Sequence, residues 1–249
     1  MRTMALGMML GVLAVGLSTA SAQDVSRAVL ADAKCAPASG GGTPPLGALR
    51  VVGGQMQEPR TIFGPTDLIV VGGGSAQGVQ LGQQFFVRRA FDWGQHMSVG
   101  VHAVNTVGGI RIVAVNSTTA IASVDFACDA LMVDDFLQPY VEPVLPPNIT
   151  RTDTSGELDF AAAGHILFGP SDQLTAGAGA YMVADIGAGR GAAPGTRFAV
   201  YRDLGVPGVP LSAVGEAIVV FAGQDTSVVR FTLARGAVAS GDLLVPHKH

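Results

Sequence analysis

The sequence predicts an all-β chain of two tandem, small barrel-like modules, preceded by a signal peptide and a flexible N-terminal segment. Three observations lead there. The apolar segments run four to eight residues, are rich in Val and Ile, and end at Gly, Pro, Asp or Asn. No stretch inside a module keeps helical spacing for twelve residues. The landmarks of one half of the chain recur in the other. Composition agrees: 249 residues with 34 Gly and 14 Pro, 48% hydrophobic and 14% charged, are too apolar for a disordered chain, and the glycines lack the period of collagen. A net charge of -4, with Lys34 and Lys248 the only lysines, argues against a broad nucleic-acid footprint.

The elements follow in order. Arg2, an apolar stretch over Met4 to Gly16, and Ala20-Ser21-Ala22 read as a signal peptide over residues 1–22, cut after Ala22. The apolar run is too short for a membrane anchor, and no later segment is long enough to cross. Residues 23–47 hold a short helix, Val25 to Ala33, and a Gly/Pro/Ser tether. Residues 48–140 form the first module, 141–155 a stiff connector with Pro143, Pro146 and Pro147, and 156–247 the second module. In the first module, Ile69–Val71, Gln84–Arg89, Ile110–Val115 and Ala120–Phe126 are expected strands, with a fifth around Leu131–Leu137. So few short strands cannot bury a face as an open sheet without exposed edges, which favours a closed or half-closed barrel.

Five echoes carry the duplication. Phe63-Gly64-Pro65-Thr66-Asp67 returns as Phe168-Gly169-Pro170-Ser171-Asp172, and Leu81–Arg89 as Pro194–Arg202. Gly109–Val113 returns as Gly215–Val219, Thr119–Ala122 as Ser227–Arg230, and Asp134–Pro139 as Gly241–Pro246, with offsets of 105, 113, 106, 108 and 107. The shared residues are turn chemistry. Pro65 and Pro170 preset φ beside Gly64 and Gly169, and Asp67, Asp172, Asp135 and Asp242 can accept nearby backbone N–H groups. Gly241 supplies a positive φ before its Asp. The glycine-rich stretch Gly187–Gly191 reads as an enlarged loop where the second copy has extra residues.

This order of motifs resembles the β-rich modules that follow LysM domains in bacterial envelope proteins, and is similar to the C-terminal β domain of the flagellar assembly protein FlgT. The resemblance covers Phe63 to Pro139 and Phe168 to Pro246. It implies a cell-envelope accessory protein and brings no catalytic residue; residues 23–47 hold no LysM unit.

The chain is therefore expected to be bacterial, periplasmic or secreted, and non-enzymatic. It would serve envelope assembly or adhesion through contacts with an envelope protein or a cell-wall glycan, with no nucleic acid, metal or cofactor. A peptidoglycan or carbohydrate binder is the alternative, with Trp93 as stacking platform beside His96, and Arg190 as a cation in a glycine-rich loop. An uncharacterised hydrolase is the second alternative, although Glu142, Glu157 and Glu216 are isolated and no G-x-S-x-G elbow occurs. Leu68–Gly78 resembles a dinucleotide turn, but strand character follows where a helix N-terminus is needed. Cys35 and Cys128 can be joined by an oxidising compartment or remain two thiols.

Overall fold

The computed structural model describes residues 20–38, 44–56, 60–93, 101–153 and 155–248, with side chains for all of these except 20–26, 92–93 and 101–102. Helix α1 (Ala20–Lys34) comes first. Module 1 holds β1 (Val51–Gly54), β2 (Ile62–Phe63), β3 (Leu68–Val71), β4 (Gln84–Trp93), β5 (Val101–Val115), β6 (Ala120–Ala127), β7 (Leu131–Met132) and β8 (Phe136–Pro139). Module 2 holds β9 (Gly164–His165), β10 (Thr175–Ala176), β11 (Tyr181–Ala184), β12 (Arg197–Arg202), β13 (Ser212–Ala222), β14 (Ser227–Ala234), β15 (Val238–Ala239) and β16 (Leu243–Pro246). The fold is all-β.

Strand order is the same in both modules. The sheets run β1-β3-β6-β5-β4-β8 and β11-β14-β13-β12-β16-β9, the same order around the closed ring, every pairing antiparallel, and each module adds a two-stranded ribbon, β2-β7 or β10-β15. Each sheet then closes on itself, through the bridge Arg50 to Phe136 in module 1 and Ile166 to Ala184 in module 2. Closure removes the exposed edges that a short open sheet leaves. Inside each ring lies a separate apolar core: Ile69, Val71, Phe85, Val87, Ile110 and Leu131 belong to the first, and Met182, Phe198, Val200, Val219, Phe231 and Leu244 to the second.

Strand pairing corrects the internal alignment. Val51 and Ile166, offset by 115, stand in the same place, each donating its N–H to the carbonyl of Asp135 or Asp242. From β2 to β4 the offset is 113, and from β5 onward 107, with Val87 opposite Gly108 and Val200 opposite Gly215. The first echo is therefore not structural: residues 176–180 occupy the place of Phe63–Asp67, while Phe168–Asp172 lies one strand earlier. The pairs led by Gly109 and Thr119 shift by one residue. Nor is Gly187–Gly191 an enlarged loop. It is the same tight turn as Gly74–Gly78, with Gly191 and Gly78 both at positive φ, Ser75 and Ala76 donating to the Asn116 and Ser117 carbonyls, and Ala188 and Gly189 to those of Gly223 and Gln224.

The larger length difference lies between β4 and β5, where the offset falls from 113 to 107. Module 1 spends these extra residues on a longer hairpin, and its inner parts reach module 2. Phe91 on β4 meets Phe168 edge-on at 5.5 Å, and Ala103 on β5 joins a third apolar cluster with Tyr181, Val183, Val220 and Val228. Ala33 of α1, Ala36, and Leu145 and Ile149 of the connector complete it. Module 2 strands accordingly bury both faces: all four residues of β11 and the first five of β14 are buried, whereas β6 alternates over its first five. The modules and the helix thus pack as one body.

The N-terminal segment is tied at several points. Cys35 is disulfide-bonded to Cys128, 93 residues away, with a Cα–Cα distance of 5.4 Å. Ala38 donates its N–H to the Val104 carbonyl, and the Tyr181 hydroxyl donates to the Val29 carbonyl at 3.3 Å. Residues 35–38 are therefore part of the packed body, and of the expected tether residues 39–43 lie outside the described residues.

Candidate functional site

The corner residues are consumed by the fold. On β4, Arg89 donates from Nε and Nη2 to the two carboxylate oxygens of Asp135, each at 2.8 Å, and from Nη2 to the Ala130 carbonyl at 2.8 Å. The Met132 N–H donates to Asp135 Oδ2 at 2.7 Å. Module 2 repeats the device: Arg202 meets Asp242 at 2.7 Å twice and the Ala237 carbonyl at 2.8 Å, while the Ala239 N–H donates to Asp242 at 2.7 Å. The hydrogen bond to each Asp holds its guanidinium above the ordinary arginine range. Asp134, at φ 73, fills the position of Gly241, at φ 89. At the other corner the Gly64 N–H donates to Asp67 at 2.9 Å, and this bond, with Arg60 beside it, pulls the Asp67 carboxyl below its usual range. Gly169, Pro170 and Asp172 form a turn in which Ser171 donates to Asp129 of module 1 at 3.1 Å, so this corner joins the modules.

The candidate ligand residues do not form one site among the described groups. Trp93 is the last residue of β4, paired with Val101; its side chain, and all of His96, lie outside what the structure describes. Arg190 is a staple within module 2. It donates to the carbonyls of Asp185, Ala162 and Ala163 at 3.2, 3.4 and 2.8 Å, and its guanidinium stands 3.8 Å from the Asp185 carboxylate, which also meets His165 at 3.0 Å. The three glutamates are spread apart in role. Glu157 pairs with Lys248, Glu216 accepts the Asp153 N–H at 2.9 Å, and Glu142 lines a cleft between the modules. Among the described residues no group of three or more His, Cys, Asp or Glu is placed to hold a metal ion, and no helix is long and apolar enough to cross a membrane.

A different place brings polar groups together. Where the end of α1, residues 36–38, the outer face of module 1, the connector and β13 of module 2 meet, they enclose a cleft of about 580 Å³, within the roughly 300–1,000 Å³ of small-ligand sites. Arg88 lies in it, partly buried. Its guanidinium stacks over the Phe86 ring at 4.4 Å, Nε donates to Gln138 at 3.2 Å, and Nη1 donates to the Thr106 hydroxyl, which in turn donates to the Ala36 carbonyl at 2.7 Å. Desolvation pushes the Arg88 guanidinium down to about 10. Lys34, the last residue of α1, also lines the cleft, with its ammonium 5.7 Å from the Tyr140 ring and 5.9 Å from the Phe126 ring.

Sequence reasoning missed this site. Arg88 and Arg89 stand side by side in one echo and look alike there. The available signal was that position 202 keeps an Arg while position 201 is Tyr. No protein-family model matches this chain, and no curated protein matches it.

Proposed function

We propose that this chain is a non-enzymatic, exported protein of a bacterial cell envelope that acts as a scaffold or adhesion module and holds a partner in the cleft between its two barrels. Export is supported by the signal-peptide features of residues 1–22 and by the pairing of the only two cysteines. Envelope service is supported by the resemblance of the corner residues to LysM-associated and FlgT-like modules. The observation that carries the binding assignment is the contrast between duplicated and unduplicated charge: Arg89 and Arg202 are spent on buried Asp partners, whereas Arg88 faces a cleft without one.

The test is site-specific photocrosslinking in the native envelope. A photoreactive residue at Val144, on the cleft and 84% exposed, should give a discrete adduct that the same residue at Leu174, which does not line the cleft, does not give. Equal labelling at both positions, or none at Val144, contradicts the assignment. Fractionation tests export separately: the mature chain should begin after Ala22 and appear outside the cytoplasm.

A further inference from the structure

Arg88 has no counterpart in the second barrel, and neither does anything that holds it. Strand register sets Tyr201 in the place of Arg88, Ala199 in that of Phe86, Ala213 in that of Thr106 and Val245 in that of Gln138. A barrel of identical topology closes with all four replaced. The quartet is therefore not a requirement of the fold.

Its geometry leaves donors free. Gln138, Thr106 and the Phe86 face fix the guanidinium plane, while Nη2 makes no hydrogen bond to a described residue and Nη1 makes one. Among the described residues no carboxylate stands within ion-pair distance of Arg88 or Lys34; Glu142, the acid lining the cleft, is exposed and unpaired with either. Nη2 and the remaining Nη1 hydrogen can still donate to a carboxylate, and a second cation nearby adds to the attraction. The opposite wall is the connector. Residues 141–144 carry no regular structure, and the N–H groups of Val141, Glu142 and Val144 and the four C=O groups make no hydrogen bond to another described residue. Val144, Pro143, Val220 and Phe221 supply apolar surface beside them.

We infer that this cleft binds an extended acidic peptide, whose Asp or Glu side chain is received by Arg88 with Lys34 in support, and whose backbone runs along residues 141–144. Backbone groups left unpaired on both sides of Pro143 can accept hydrogen bonds from, and donate them to, a peptide laid beside them, and the charge supplies the specificity that backbone pairing lacks. This rests on the cleft being the partner site, and it names what the partner offers.

The experiment is a titration of the full oxidised chain with capped pentapeptides, acetylated and amidated, carrying a central Glu flanked by Val, Leu, Phe or Pro. The Arg Nε–Hε signals are followed by NMR. Central-Gln peptides, capped and with a free terminal carboxylate, are the controls. The Glu peptides should bind about tenfold tighter than their capped Gln counterparts and shift the Arg88 signal. Arg88→Lys, which keeps the charge and loses the fork, should weaken binding about fivefold, and Arg235→Gln, outside the cleft, should leave it unchanged. The comparison of Glu with Gln needs no variant and so does not depend on how one folds. Equal binding of Glu and Gln peptides, binding only of the free terminal carboxylate, or no peptide binding while the Val144 crosslink persists would each overturn the acidic-peptide inference. Loss of the Val144 crosslink would instead remove the partner site itself.

Discussion

Two neighbouring arginines on one strand do opposite work. Arg89 neutralises Asp135, whose side chain is 3% exposed, and Arg202 does the same for Asp242 at 4%. Removing either acid takes the bidentate partner from a guanidinium and the acceptor from one backbone N–H, that of Met132 or Ala239. Asp135→Ala and Asp242→Ala should each destabilise by about 3 kcal/mol in urea titrations. Turn residues of this kind were readable in the sequence: a Gly before an Asp, or a Pro-Thr-Asp after Gly, announces a corner with a side-chain acceptor. The role of Arg88 was not readable, since it depends on Thr106, Gln138 and Ala36 arriving from distant parts of the chain.

At the scale of elements, strands and their approximate ends were legible because alternation and bounding glycines are local signals. Ala120, Ala122 and Val124 are buried on one face as that pattern requires. The alignment of the repeats was less legible. Phe-Gly-Pro-Ser-Asp resembles its earlier echo because both are turns, yet one closes a corner within module 1 and the other meets Phe91 and Asp129 across the junction. Register settles equivalence through backbone contact instead. A Cβ at Gly108 would come within 2.6 Å of the Phe126 carbonyl oxygen, and one at Gly215 within 2.4 Å of that of Leu233. Ala at either position should therefore lower the thermal midpoint by several degrees, about 2 kcal/mol, through forced strand separation. A comparable Ala at Gly236, where a Cβ meets nothing within 4 Å, should have little effect.

For the whole molecule, the longer β4–β5 hairpin, α1 and the disulfide weld two barrels into one body. Reduction of Cys35–Cys128 frees a 93-residue separation, and the chain-entropy model sets the loss at up to about 4.7 kcal/mol; denaturant midpoints with and without reductant measure it. Tyr181 reports on the same junction. Burial raises its phenol above the ordinary value, so the folded state holds the proton more tightly than the unfolded chain. Stability should be intact below about pH 10 and decline as pH rises beyond it. Tyr181→Phe should flatten that alkaline decline in circular-dichroism melts, and an unchanged decline would mean that the junction is not what titrates. The packing of the modules on each other was not legible in advance. Continuous apolar stretches such as Ala217–Phe221 signal burial on two faces without saying what covers the second.

The account turns on a division of labour between duplicated groups that hold the barrels and unduplicated groups that face a partner. Parallel urea titrations of Arg88→Gln and Arg89→Gln test it most directly. Arg88→Gln loses a stacking contact and two hydrogen bonds but also relieves a desolvated charge with no acid beside it, so its stability should stay within about 1 kcal/mol of the parent, while Arg89→Gln falls by about 3 kcal/mol. A loss at Arg88 equal to that at Arg89 would make it one more structural arginine and contradict the division.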